Sequence, residues 1–133
     1  MATPVPPPPS GSSGSTNLGM APNVGALLCY VPCCIGLIFS IVVAIVEKQS
    51  RFLRFHAFQS LLLHGALIVF GIGYQVIHLV VSAAIGFLVV LMLPLGLLIS
   101  FGCLALLIYM MIKANANEEY ELPVIGKMAR QWV

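Results

Sequence analysis

The chain has 133 residues, of which 60% are hydrophobic and 8% are charged, and its mean hydropathy is +1.06. Asp, Glu, Lys and Arg are all absent between Arg54 and Lys113, a stretch that a water-soluble domain would have to expose as one apolar surface. The formal net charge of +2 is too small and too scattered to indicate a nucleic-acid partner. This composition predicts a small all-α membrane protein in contact with the lipid bilayer.

The first 23 residues form a tail rich in Pro, Gly and Ser that has no hydrophobic periodicity. It lacks the basic and apolar regions of a cleaved signal peptide. Such a segment cannot bury enough apolar surface to fold, so we expect residues 1–23 to be disordered or polyproline-like. A docking peptide for an aromatic groove is the alternative interpretation.

Three apolar stretches follow the tail, each long enough for a helix that crosses a bilayer, which needs roughly 20 residues. They cover residues 24–46, 58–81 and 84–112. The third stretch is longer than one crossing requires, and Pro94 followed by Gly96 is the expected position of a kink. The sequence therefore predicts three transmembrane helices.

Basic residues follow the first and the third of these stretches: Lys48, Arg51, Arg54, Lys113, Lys127 and Arg130. Because Lys and Arg accumulate in cytoplasmic loops, three spans put both basic segments on the cytoplasmic side. We therefore predict a three-span domain over residues 24–112, with the N-terminus outside and a cytoplasmic tail over residues 113–133. The expected location is a bacterial inner membrane.

Small residues recur every three or four positions in the first apolar stretch: Gly25, Cys29, Cys33, Gly36, Ser40 and Ala44. On one continuous helix these residues share a face, and small side chains let a second membrane helix approach closely. The cysteines lie in apolar surroundings, so packing explains them without metal or redox chemistry. The pattern predicts an interface with other membrane-protein subunits.

His64 and His78 are the candidate ligands for a cofactor. They lie 14 residues apart in the second stretch, on nearly one helix face and about 21 Å apart by helical rise. Two histidines at two membrane depths resemble the arrangement that holds tetrapyrroles such as haem or chlorophyll. Ligation of one haem by two histidines would need a homodimer of this chain. The alternative is that each ring hydrogen-bonds a carbonyl group or another helix. The leading expectation is that the protein binds neither a cofactor nor a metal ion.

Two polar segments flank the second and third stretches. The first is RFLRFHAFQS at residues 51–60, whose arginines reach lipid headgroups while its phenylalanines lie at the membrane boundary. The second is NANEEYELPVIGK at residues 115–127. Beyond Pro123, apolar residues and two basic residues predict a short interfacial helix on the cytoplasmic membrane face.

Together these two segments resemble the signatures of a widespread family of small bacterial membrane proteins whose function is not established. That family is distantly similar to the Tic-type component of protein import at the chloroplast inner envelope. The resemblance covers residues 24–130, and the matching positions are Phe55, His56, Ala57, Gln59, Ser60, Tyr120, Leu122, Pro123 and Gly126. It implies a helical membrane protein, and the distant relationship implies a role in translocation.

Both signature segments fall on the same side of the predicted bundle. We therefore expect His56 and Gln59 to hydrogen-bond the segment from Tyr120 through Pro123 to Gly126, and to lock the helix ends together. No nucleophile and base occur together in the spans, so an enzyme is not expected. The leading functional interpretation is an accessory or assembly subunit of a larger respiratory or photosynthetic membrane complex. An oligomeric translocation or transport component and a pigment- or haem-binding subunit are the alternatives.

Overall fold

A computed structural model describes residues 16–32 and 34–133. Most of this part of the chain is helical, and the elements are α1 (Pro22–Cys29), α2 (Cys34–Val46), α3 (Arg51–Ala84), a 3₁₀ turn (Gly86–Leu88), α4 (Val89–Asn115) and α5 (Ile125–Arg130). Residues 1–15 of the tail expected to be disordered, and Cys33 of the small-residue face, lie outside the described residues.

Two helices, α3 and the continuous segment Gly86–Asn115 that contains α4, are long and apolar enough to cross a membrane. They cover the second and third apolar stretches of the sequence. The 34 residues of α3 correspond to about 51 Å of helical rise, which is well above the roughly 30 Å of a hydrocarbon core. Large apolar side chains on both helices face outwards, as a lipid environment requires.

Local hydrogen bonds define the start of α3 and join α3 to α4. Ser50 is the N-cap of α3, and its hydroxyl accepts a hydrogen bond from Leu53 N–H at 3.2 Å. Pro94 lies inside α4, and the helix continues through it. Close to this position, the Tyr74 hydroxyl of α3 donates to the Met92 carbonyl at 2.6 Å and joins the two helices.

The prediction of one helix over residues 24–46 is wrong. The helix stops at Cys29, and a new helix starts at Cys34 after the break that contains Pro32. The chain also reverses direction at this break, because Asn17 N–H donates to the Glu47 carboxylate at 2.8 Å, across 30 residues of sequence. Helices α1 and α2 therefore form a helical hairpin whose two ends meet.

A glycine at the tip makes this reversal sterically feasible. A Cβ atom at Gly36 would lie 2.2 Å from the Val31 carbonyl oxygen and 2.8 Å from the Cys29 carbonyl oxygen. No side chain fits in that space, so the close approach of α2 to the end of α1 requires glycine. The residue that looked like part of a helix-packing face is thus a requirement of the hairpin.

The described part of the predicted N-terminal tail is also held in place. The Thr16 hydroxyl donates to the Met20 carbonyl at 2.7 Å, and the Asn17 side chain accepts from Lys48 N–H at 3.0 Å. Helix α1 then begins at Pro22, whose missing N–H suits the first helical turn. Residues 16–23 therefore belong to the folded unit rather than to a free tail.

The C-terminal segment returns along the base of α3. Helix α4 ends in a Schellman motif, in which Asn117 adopts φ +60° and the N–H of Glu118 bonds to the Lys113 carbonyl at 3.1 Å. Val124 also has a positive φ, of +68°, and the N–H of Ile125 closes a tight turn onto the Pro123 carbonyl at 2.8 Å. This turn starts α5, which packs against α3.

Candidate functional site

A cluster of buried polar side chains lies where the hairpin meets α3. We call it the polar cluster, and its members are Tyr30, Ser40, His56, Gln59, Ser60 and His64. His64 is 7% exposed and the others are completely buried. A buried polar group is costly unless it is hydrogen-bonded, so the partners of these side chains determine what the cluster does.

One part of the cluster stabilises the break in the first apolar stretch. The Cys29 carbonyl, in the last residue of α1, accepts from the Ser60 hydroxyl at 2.5 Å and the Ser40 hydroxyl at 3.1 Å. Backbone groups inside a membrane must be satisfied within the protein, and these two serines supply the donors. His64 joins them, because its Nδ1 lies 3.1 Å from the Ser60 hydroxyl and 2.9 Å from the Ser60 carbonyl.

A second part of the cluster is centred on the Tyr30 hydroxyl. This hydroxyl accepts from Gln59 Nε2 at 3.0 Å and lies 3.2 Å from His56 Nδ1. If the Tyr30 O–H donates to His56, the ring proton of a neutral imidazole lies on Nε2. The rings of Phe52 and Phe55 meet the His56 ring edge-on, with centroids 4.6 and 5.3 Å away.

Gln59 connects the polar cluster to the C-terminal segment. Its Nε2 donates to the Tyr120 carbonyl at 2.9 Å, and its Oε1 accepts from Leu122 N–H at 3.3 Å. A Cβ atom at Gly126 would lie 2.7 Å from the same Oε1, so glycine lets α5 approach this closely. The structure thus brings Gln59, Tyr120 and Gly126 together, whereas the ring of His56 bonds to Tyr30.

The side chains of Tyr120 and Pro123 take no part in this contact. Pro123 is exposed, and the Tyr120 ring meets Tyr109 of α4 edge-on with centroids 5.4 Å apart. The recognition of the segment is therefore made through its backbone.

Charged residues hold α5 against the first turns of α3. The guanidinium of Arg130 lies over the Phe55 ring, 4.6 Å from its centroid, and pairs with Glu119 and Glu121. Arg54 donates to the Trp132 carbonyl at 3.3 Å. These exposed pairs are individually weak, so the buried amide of Gln59 is the more important fixed point of the segment.

Glu47 is a structural residue that the sequence did not reveal. Its side chain is completely buried, and its carboxylate accepts from the backbone N–H groups of Asn17, Gln49 and Ser50 at 2.8–2.9 Å. Burial alone would raise the pKa of this carboxyl, but the backbone donors together lower it below the usual 4.5. The ionised carboxylate therefore ties the N-terminal segment to the loop between α2 and α3.

The described members of the small-residue face lie mostly inside the molecule. Cys29 and Ser40 are completely buried, and Gly25 and Gly36 are buried with them, while Ala44 is half-buried. A Cβ atom at Gly25 would lie 2.9 Å from the Leu53 side chain of α3, so this row serves contacts within the chain. The described members of this face are thus used within the chain, and an interface of this face with other subunits stays a prediction.

A groove opens between α3 and α4 beyond the polar cluster. Its volume is about 730 Å³, and its walls are apolar apart from the side chains of Tyr74, Gln75, His78, Ser100 and Cys103. The His78 ring lies near the Tyr74 ring with centroids 6.3 Å apart. His64 does not line this groove, so the two candidate cofactor ligands have different surroundings. Among the described residues, no group of three or more His, Cys, Asp or Glu could hold a metal ion.

An all-helical chain with two long, outwardly apolar helices defines the class as a small helical membrane protein. The chain belongs to the magnetosome magnetite crystal formation protein family, whose model matches residues 15–129. This confirms the expectation of a small membrane-protein family.

Archaeal relatives extend this comparison. The chain is 34% identical to a UPF0132 membrane protein of Methanocaldococcus jannaschii, over 90% of this chain and 94% of the relative. It is 33% identical to a UPF0132 membrane protein of Archaeoglobus fulgidus, over 86% of this chain and 97% of the relative. No solved structure matches the chain. The names of these relatives describe membrane proteins and no enzymatic family.

Proposed function

We propose that this protein is a non-enzymatic accessory or assembly subunit that works within a larger membrane complex. The observation that carries this proposal is the set of hydrogen bonds made by the polar cluster. Its hydroxyl and amide groups bond to one another, to the backbone of the hairpin and to the backbone of the C-terminal segment. Such a cluster fixes one arrangement of helices and uses its hydroxyl and amide groups for bonds within the chain. The function then lies in the outer surfaces that this fixed arrangement presents to other membrane proteins.

The membrane topology that we propose has two crossings, made by α3 and α4. The hairpin of α1 and α2 lies in the cytoplasmic leaflet, with the exposed apolar face of α2 turned outwards to lipid and to other membrane proteins. The contact between Asn17 and Glu47 supports this arrangement, because it brings the start of α1 to the basic loop before α3. By the positive-inside rule, both ends of the described chain are then cytoplasmic, and the N-terminus is not outside.

The C-terminal helix belongs at the cytoplasmic interface in this proposal. Met128 of α5 is exposed, and so are Val124 and Trp132, which flank α5 four residues away on either side. Lys127 is exposed next to Met128, as in helices that lie at the headgroup level. The lipid bilayer is thus a partner of α5 as well as of the two long helices.

The respiratory or photosynthetic setting expected from the sequence is one form of this proposal. The name of the family favours another setting, an assembly in a specialised membrane compartment. We also propose that the protein lies in a bacterial inner membrane. A relationship to Tic-type import is proposed as well. A translocation role would require several copies, because two crossing helices enclose no pore.

Binding of a tetrapyrrole is a second candidate, and the groove between α3 and α4 favours it. The ring nitrogens of His78 form no hydrogen bond to any residue that the structure describes, and the ring lines a cavity of about 730 Å³. In this groove the candidate ligand is His78, because His64 does not line it. Visible absorbance of the protein purified from its native membrane, lost in His78→Ala but retained in His64→Ala, would establish this function.

The leading proposal is tested by purifying the tagged protein from its native membrane in a mild detergent. A tagged variant with Ile38→Arg, which puts a charge on the exposed apolar face of α2, is the matched control. We expect a stoichiometric set of other membrane proteins with the native chain and a reduced set with the variant. Recovery of the native chain without other proteins would contradict the assignment as an accessory subunit.

A further inference from the structure

One face of α3, beside the groove that α3 forms with α4, has the features of a helix–helix interface, and its side chains are largely exposed. The face consists of Ile68, Gly71, Ile72, Gln75, Val76 and Leu79, which follow the spacing of three and four residues that aligns side chains on a helix. Its large apolar members are 50–70% exposed. A Cβ atom at Gly71 would have no heavy atom within 4 Å, so the backbone is open to close approach.

Gln75 shows that lipid alone does not suit this face. Gln75 lies nine residues before Ala84, where α3 ends, and this separation corresponds to about 14 Å of helical rise. With α3 crossing the membrane, Gln75 therefore lies within the hydrocarbon core. The side chain is exposed and forms no hydrogen bond to any residue that the structure describes. An unpaired amide in hydrocarbon is unfavourable, whereas hydrogen bonds between helices satisfy it.

We propose that this face of α3 binds the same face of a second copy of the chain. An amide carries both donors and an acceptor, so Gln75 of one copy can bond to Gln75 of the other across a twofold axis. Gly71, one helical turn away, lets the two backbones approach, and the flanking apolar side chains pack around the pair. Such a contact closes at two copies and forms no ring around a pore.

This inference rests on the proposed crossing of α3 but not on the accessory role. A dimer can form whether or not other subunits are bound, so the failure of one proposal does not imply the failure of the other.

The test places a photo-crosslinking residue on two sides of α3 at nearly the same depth. Leu79→p-benzoylphenylalanine lies on the proposed interface, and Ile77→p-benzoylphenylalanine lies about half a turn away, on the opposite side; both native residues are at least 60% exposed. The purified chain is reconstituted in phosphatidylcholine vesicles at a high lipid-to-protein ratio, and the adducts are separated by mass. We expect dimers from position 79 and lipid adducts from position 77.

The amide is tested by adding Gln75→Leu to the Leu79 variant, with Gln75→Asn as the conservative control. We expect Leu to weaken dimerisation by about three- to thirty-fold, and Asn to weaken it less. Lipid adducts from both crosslinking positions, equal dimer yields from both, or a dimer insensitive to Gln75→Leu would overturn the proposal.

Discussion

Replacing Gln59 with Met should detach the C-terminal segment from the base of α3. The Gln59 amide bonds to the Tyr30 hydroxyl, the Tyr120 carbonyl and the Leu122 N–H at 3.0, 2.9 and 3.3 Å. Methionine fills a similar volume but provides none of these bonds. Each orphaned buried polar group costs about 1–3 kcal/mol, so the loss of the two backbone partners should destabilise the docked segment by about 2–6 kcal/mol.

Limited trypsin digestion measures this loss directly, because Lys127 and Arg130 lie within α5. Cleavage there requires α5 to open locally, so its rate follows the free energy of opening. For Gln59→Met we expect cleavage to accelerate about 30-fold or more, since every 1.4 kcal/mol changes the opening equilibrium tenfold.

The matched control is Gln75→Met, which changes the same residue type in the same helix but far from α5. Its cleavage rate at Lys127 and Arg130 should equal that of the native chain. If Gln59→Met and Gln75→Met were cleaved at the same rate, the amide would not hold the segment and the reasoning would be refuted.

Three further predictions concern the hairpin, the loop and the interfacial helix. Gly36→Ala should strongly lower the Tm in detergent because of the 2.2 Å approach to the Val31 carbonyl, whereas Gly73→Ala, with no atom within 4 Å, should leave it unchanged or higher. Since folding lowers the pKa of Glu47 below 4.5, its stabilisation is complete above that pH and is lost as the pH falls through the folded-state pKa. Thermal unfolding of Glu47→Gln should therefore show a lower Tm at pH 7 and a weaker loss of Tm in acid; an identical pH profile would refute this role. The fluorescence of Trp132, the single tryptophan, should be quenched more by lipids brominated near the headgroup than by lipids brominated near the chain end. If neither lipid quenched this fluorescence, α5 would not lie at the membrane interface.

The two long helices could be predicted from the sequence because hydropathy and length determine them directly. No charged residue interrupts the chain between Arg54 and Lys113, and the turn around Gly86 divides this stretch into two helices. The first apolar stretch has the same composition but a different structure. In a bilayer, a lipid-facing helix and a hairpin packed on its neighbours can both be apolar, so hydropathy does not separate them.

The polar cluster could be predicted only in part. The signature segments identified Gln59 and the Tyr120–Gly126 region, although they lie 61 residues apart at the Gln59–Tyr120 contact. The partners of Tyr30 and Glu47 could not be found in this way. Tyr30 bonds to side chains 26 and 29 residues away, and Glu47 bonds to backbone N–H groups, which leave no signal in the side-chain sequence.

The most direct test of this account is the position of the N-terminus relative to the membrane. A short epitope placed before Met1, and another after Val133 in a second version of the chain, are exposed to protease in sealed inside-out membrane vesicles. The proposed hairpin of α1 and α2 predicts that both ends are cytoplasmic, and therefore that both epitopes are digested. Protection of the N-terminal epitope, with digestion of the C-terminal one, would mean that the first apolar stretch crosses the membrane, and would contradict the account.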